Sequence, residues 1–156
     1  MKNIDTRNNW ITFMFVTKNR YNCFLKQSHI NTCTDALREF ESLGFKFGVF
    51  GYGGNHMHFD VDIPKKYSVV DAEIMLKSRS AKRMFEKHPG FRKRYPRGSF
   101  WSGYEHYEST GEKDKAASEA YIRNQQEHHQ IKIIDDTKEI RSSPSEDTSS
   151  QPTIKT

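Results

Sequence analysis

Apolar and polar residues alternate strictly through "HMHFDVDIP", His56 to Pro64. Met57, Phe59, Val61 and Ile63 fall on one side; His56, His58, Asp60 and Asp62 fall on the other. A period of two is that of a β-strand, whose successive side chains point to opposite faces. Pro64 closes the stretch. "NWITFMFVTKNRYNCF" (Asn9 to Phe24) is rich in β-branched and aromatic residues and predicts another strand, ending near Lys18. "FKFGVFGYGG" predicts a strand running into a glycine turn, and "SFWSGYEHYES" a fourth.

Between these runs the period lengthens to that of a helix. Ala36, Leu37, Phe40 and Leu43 follow Thr34 or Asp35 as a cap, with Gly44 as the stop. "YSVVDAEIMLKSRSAKRMFEKHPG" predicts a longer helix, capped by Ser68 and ended by Pro89-Gly90, with Val70, Ile74, Ala81 and Phe85 as its apolar stripe. "AASEAYIRNQQEHHQ" predicts a short last helix. The first six elements give the order βαββαβ, the ferredoxin-like arrangement: an α+β fold with an antiparallel sheet and both helices on one face. A C-terminal helix follows. Residues 1–134 form the expected domain; residues 135–156, dominated by Ser, Thr, Pro and charge, are expected to be a disordered tail.

Composition narrows the chemistry. The 156 residues suit one domain, 13 % of them are aromatic, and the formal charge is +5. A basic surplus favours a polyanionic partner, most simply nucleic acid. Cys23 and Cys33 make no CxxC pair, which argues against a disulfide framework and a thiolate zinc site. The opening "MKNIDTRNNW" has no apolar run, and no stretch has the length of a membrane span. A cytoplasmic protein is expected, with no membrane partner.

The polar side of the histidine strand is unusual, since two imidazoles sharing a face can bind one divalent cation. A decorated, solvated sheet face is the plain alternative for a bare HxH, so a third ligand is needed. On the last helix Tyr121 and Gln125 are four apart and share a face, with His128 three further on. Tyr121 can supply a phenolate nucleophile and Gln125 an amide oxygen to a metal. His128 or His129 could replace Gln125, although stabilising a helix C-terminus is the simpler role for both.

Taken together, "GGNHMHFDVDIPKKYSV", "FWSGYEHYESTG" and "YIRNQ" resemble the HUH-superfamily single-tyrosine transposases of small insertion sequences, colinearly from about Trp10 to His129. The resemblance implies that His56, His58 and Gln125 hold Mg²⁺ or Mn²⁺. It implies that Tyr121 attacks a phosphate of single-stranded DNA at the insertion-sequence ends, with hairpins as candidate recognition elements, to give a 5′-phosphotyrosine. It further implies a homodimer with shared active sites. Asp60 and Asp62 depart from the apolar residues that family members carry after the second histidine. Asp60 could orient a ligand histidine or join the metal, with a solvated carboxylate as the default expectation.

Between Lys77 and Arg97 the cations Lys77, Arg79, Lys82, Arg83, Lys87, Arg92, Lys93, Arg94 and Arg97 face a single acid, Glu86. All but Lys87 are assigned to DNA phosphates, against the alternative of a solvated helix face. Phe91, Tyr95, Phe100 and Trp101 are interleaved and could stack on bases, though Phe100 and Trp101 fit a core better. Two rival functions remain: a non-catalytic single-strand-binding module of the same fold, and a replication-initiator or relaxase nickase of the same superfamily, which 156 residues disfavour.

Overall fold

The computed structural model describes residues 9–103, 106–109 and 133–137. Its elements run β1 (Trp10–Val16), α1 (Gln27–Arg38), β2 (Lys46–Tyr52), β3 (His56–Asp62), α2 (Val69–Lys87) and β4 (His106–Ser109). The sheet order is β2-β3-β1-β4, antiparallel throughout. This is the ferredoxin-like arrangement that the alternation predicts. The expected C-terminal helix, with Tyr121, Gln125, His128 and His129, lies outside the described residues.

Register explains which face is dry. β1 pairs β3 from Trp10↔Asp62 to Val16↔His56, so Phe13 meets Phe59 and Phe15 meets Met57. Those four are fully buried beneath the helices, with Val61, Cys33, Leu37, Ala72, Leu76 and Met84. Each such large apolar side chain contributes about 1.5–3 kcal/mol by leaving water. Phe15, Phe24, Phe100 and Trp101 meet at ring-centroid separations of 4.9–6.0 Å. Phe91 and Tyr95, candidates for base stacking in the sequence, are buried in this aromatic core as well.

Two helix readings are corrected. α1 starts at Gln27, not after Thr34 or Asp35, which lie inside it. Its N-terminus lacks a cap from its own chain neighbourhood; Asp136 supplies one, accepting from Ser28 N at 2.8 Å and Ser28 Oγ at 2.5 Å. In α2, Ser68 does cap the helix, taking a hydrogen bond from Asp71 N at 3.0 Å. The stripe buried in the core is Ala72, Leu76, Ser80 and Met84; of the predicted stripe, Ala81 and Phe85 pack against that core from its edge, whereas Val70 and Ile74 are about half exposed. Ser80 is admissible there because its hydroxyl donates to Leu76 O at 2.8 Å and accepts from Trp101 Nε1 at 2.9 Å. No helix among the described residues is long and apolar enough to cross a membrane.

Candidate metal and DNA site

β3 places His56 and His58 on the face turned away from the helices, half-buried, while Met57 and Phe59 beneath them are fully buried. The two rings lie 5.3 Å apart between centroids and almost perpendicular, at 88°. His56 is fixed by the turn before it. Gly53 N donates to His56 O at 2.8 Å, Thr17 N to Asn55 O at 2.9 Å, and Cys23 N and Phe24 N both donate to Gly54 O, at 2.8 and 3.0 Å. His56 Nδ1 lies 2.8 Å from Asn55 Oδ1, and the other end of that amide, Nδ2, is turned toward Arg20 O at 3.5 Å. With Nδ1–H donating to Asn55, the ring's lone pair is on Nε2, the tautomer that a metal-binding imidazole requires. Gly53 lies against the ring: a Cβ there would sit 2.4 Å from His56 Cε1 and 2.8 Å from Nε2.

Asp60 departs from its default expectation. It is fully buried rather than solvated, and accepts a hydrogen bond from Thr12 Oγ1 at 2.5 Å. Asp62 anchors the start of β1, accepting from Asn9 N at 2.7 Å. The donor set that is described, two imidazoles on one strand face with one of them held in a fixed tautomer, suits a divalent cation that takes further oxygen ligands. Both cysteines are buried, and burial pushes the Cys33 thiol up to about 12, so neither offers a thiolate.

The candidate DNA cations divide into four groups. Arg79 and Arg83 both reach Glu39, at 2.6 and 2.8 Å, and Arg83 also pairs with Glu86 at 2.8 Å. These contacts hold α2 to the end of α1, and the two guanidiniums keep the Glu39 carboxyl below the usual range. Lys77 pairs with the buried Glu73 at 2.9 Å and reaches Ser102 O at 3.3 Å. Arg92 lies 3.6 Å above the Phe85 ring, and Arg94 donates to Asn22 O at 2.8 Å; both remain exposed. Lys82, Lys93 and Arg97 are exposed. Lys77, Lys82 and Arg92 share an open groove of about 740 Å³ with Ile74, Phe85 and Trp101. Ile74, Ala81 and Phe85 of the predicted apolar stripe thus line a surface groove beside three of the cations.

Sequence reasoning missed Asn55, Gly53 and Glu39. The "GGN" before the first histidine was a signal for the first two, since adjacent glycines at a strand entry often mark close approach of another group. Nothing local pointed to Glu39.

Residues 6–125 match the family model described as "Transposase IS200 like". No curated protein matches the sequence. Among solved structures, a candidate transposase from Deinococcus radiodurans R1 is similar at 21 % identity and a TM-score of 0.62, covering 80 % of this chain and 98 % of its own. A REP-associated tyrosine transposase bound to a REP hairpin is similar at 14 % identity and a TM-score of 0.57, covering 83 % of this chain and 73 % of its own. Both likenesses are of fold. The family match spans most of the chain and includes the histidine strand and the Tyr-x-x-x-Gln segment: the protein belongs to the IS200-like transposase family.

Proposed function

We propose that this transposase cleaves and rejoins single-stranded DNA at insertion-sequence ends through a tyrosine-linked intermediate. The observation that carries the reading is the paired presentation of His56 and His58, with His56 locked by Asn55 and Gly53 on the open sheet face. His56, His58 and Gln125 would hold Mg²⁺ or Mn²⁺, which when bound polarises the phosphate and neutralises developing charge. Tyr121 attacks the scissile phosphorus with its phenolate oxygen. The new O–P bond forms as the bond to the 3′ oxygen breaks, and that oxygen takes up a proton to leave a free 3′-hydroxyl. Strand transfer is the reverse step, in which a 3′-hydroxyl attacks the phosphotyrosine and the phenol is released. One phosphodiester is exchanged for another, so no external energy source is required.

Basic groove residues Lys77, Lys82 and Arg92, with Lys93, Arg94 and Arg97, would hold the strand by its phosphates. The related structure bound to a REP hairpin supports folded single strands as substrate. A homodimer with shared active sites fits the same reading.

The test is incubation with single-stranded oligonucleotides and Mg²⁺ or Mn²⁺, followed by denaturing electrophoresis. Wild type should give a denaturation-resistant protein–DNA adduct; Tyr121→Phe should give none while retaining DNA affinity. Binding without an adduct under every substrate and metal condition would favour the non-catalytic module. An adduct that survives in Tyr121→Phe would move the nucleophile elsewhere.

A further inference from the structure

A second basic feature lies on the segment that buttresses the histidine turn. Residues 20–24 touch that turn directly: Cys23 N and Phe24 N bind Gly54 O, and Gly54 is packed so closely that a Cβ would meet Asn22 Oδ1 at 2.7 Å. From there the chain reaches Lys26 in four residues, at most about 14 Å. Lys26 borders a cavity of about 270 Å³ lined also by His29, His88, Phe91 and Arg94. The rings of His29 and His88 are 4.4 Å apart, and Thr32 Oγ1 holds His88 Nε2 at 2.9 Å. Arg94 donates to Asn22 O through Nη1, and its guanidinium, with five N–H donors in all, stays exposed at the cavity's edge.

The surroundings attract anions. Asp136, the carboxylate beside this cavity, is engaged by Ser28 and feels the charge of His29. Among the described residues, Lys26 and Arg94 exceed it by one positive charge even with both imidazoles neutral. Beside Arg94 stands Tyr21, 42 % exposed, its ring 5.7 Å from the guanidinium carbon and 5.6 Å from the Tyr95 ring. A large exposed aromatic next to an exposed cation is the pairing that binds an unpaired nucleotide, base on the ring and phosphate on the charge.

We propose that the Lys26–His29–His88–Arg94 cavity, with Tyr21 at its edge, is a nucleotide subsite that takes one backbone phosphate and one stacked base of single-stranded DNA. It holds the strand a few nucleotides from the phosphate at the histidine pair. The inference rests on the DNA-cleaving reading above, and goes beyond the groove on α2.

Equilibrium binding of a fluorescent single-stranded oligonucleotide, without divalent metal and across a salt series, tests it. The proteins are full-length wild type, Lys26→Glu, Tyr21→Ala and, as a control at a remote exposed lysine, Lys66→Glu. Lys26→Glu should weaken binding roughly tenfold and reduce the slope of log K against log salt by about 0.7. Tyr21→Ala should weaken it by about tenfold with the slope unchanged. Lys66→Glu should stay within about twofold of wild type. Unchanged affinity and slope in both subsite variants, or an equal loss in Lys66→Glu, overturns the proposal. Inorganic phosphate probes the other source of the same chemistry: ring resonances of His29 and His88 that move with phosphate but not with the oligonucleotide would assign the cavity to a free anion and overturn it too. Adduct formation by wild type with metal at saturating DNA is scored in parallel. No adduct removes the cleavage reading while the binding differences stay legible; an adduct with equal binding removes the subsite alone.

Discussion

Replacing Gly53 by alanine separates the proposed metal site from the fold. The backbone angle of Gly53 lies outside the left-handed region, so alanine is conformationally admissible and only the methyl group matters. That methyl would lie 2.4, 2.8 and 2.9 Å from Cε1, Nε2 and Nδ1 of His56. Ordinary carbon contacts are about 3.5–4.0 Å, so the ring must retreat by roughly 1 Å. Because the obstructing group is the end of a side chain, the imidazole swings and the backbone stays. The swing gives up the Asn55 hydrogen bond, about 0.5–1.5 kcal/mol, and strains the rotamer by a similar amount. Stability should therefore fall by about 1–3 kcal/mol, a shift in Tm of roughly 2–12 °C for a domain of this size. The ligand nitrogen, displaced by about the same ångström, should lose about 10–100-fold in metal affinity. Thermal melting by circular dichroism gives the first quantity. Mn²⁺ titration, followed by electron paramagnetic resonance of the free ion, gives the second, and adduct yield against Mn²⁺ concentration should shift in parallel. Wild-type Mn²⁺ affinity in a folded Gly53→Ala protein would refute the argument, since the contact that aims His56 would then have no consequence.

Ser80→Ala should cost about 1–3 kcal/mol in urea unfolding, because it leaves the buried Trp101 indole N–H without its acceptor; a smaller loss would mean the indole finds another partner. Glu39→Gln should destabilise the fold by about 1 kcal/mol, since its ion pairs are partly exposed, yet tighten DNA binding in a low-salt titration by releasing Arg79 and Arg83. Unchanged affinity would show that those arginines do not face DNA. Burial is the main force holding both His29 and His88 below the ordinary imidazole value, with the His88 charge next for His29. A base with a depressed folded pKa binds fewer protons folded than unfolded, so stability is complete above about pH 6.5 and declines as pH falls below it. Urea midpoints at pH 7.5 and 5.5 should show that decline, and the His29→Gln/His88→Gln double variant should flatten it.

The sheet was legible because β3 and β1 each carry one apolar face, and a period of two has a single solution once one face must be dry. The ends and burial of the helices were not. α1 takes its cap from Asp136, 108 positions away, so the search for a local Ser, Thr or Asp settled on Thr34 and Asp35. In α2 the core stripe contains a serine, and two of its larger apolar residues, Val70 and Ile74, face outward. Hydrophobicity alone therefore selected a stripe of which Ala81 and Phe85, but not Val70 or Ile74, meet the core. The cationic run was visible in composition, but its division was not: Glu39 lies 40 and 44 positions from the arginines it engages. The histidine pair was plain, whereas the groups that aim it, an amide one residue before and a glycine three before, became evident only through distances.

The strip at Ile134–Asp136 has a consequence for how far Tyr121, the proposed nucleophile, can travel. Ile134 exchanges backbone hydrogen bonds with Leu25 and Gln27, and Ser109 ends β4 in register with Ile11. The intervening stretch is therefore leashed at both ends to the same body, with Tyr121 twelve residues beyond Ser109. Its range is capped at roughly 40 Å from either mooring. In the proposed homodimer, lending that tyrosine to a neighbouring copy means stretching two lines of chain at once, so cutting the Asp136 mooring should lengthen the reach and loosen the choice of which copy is served.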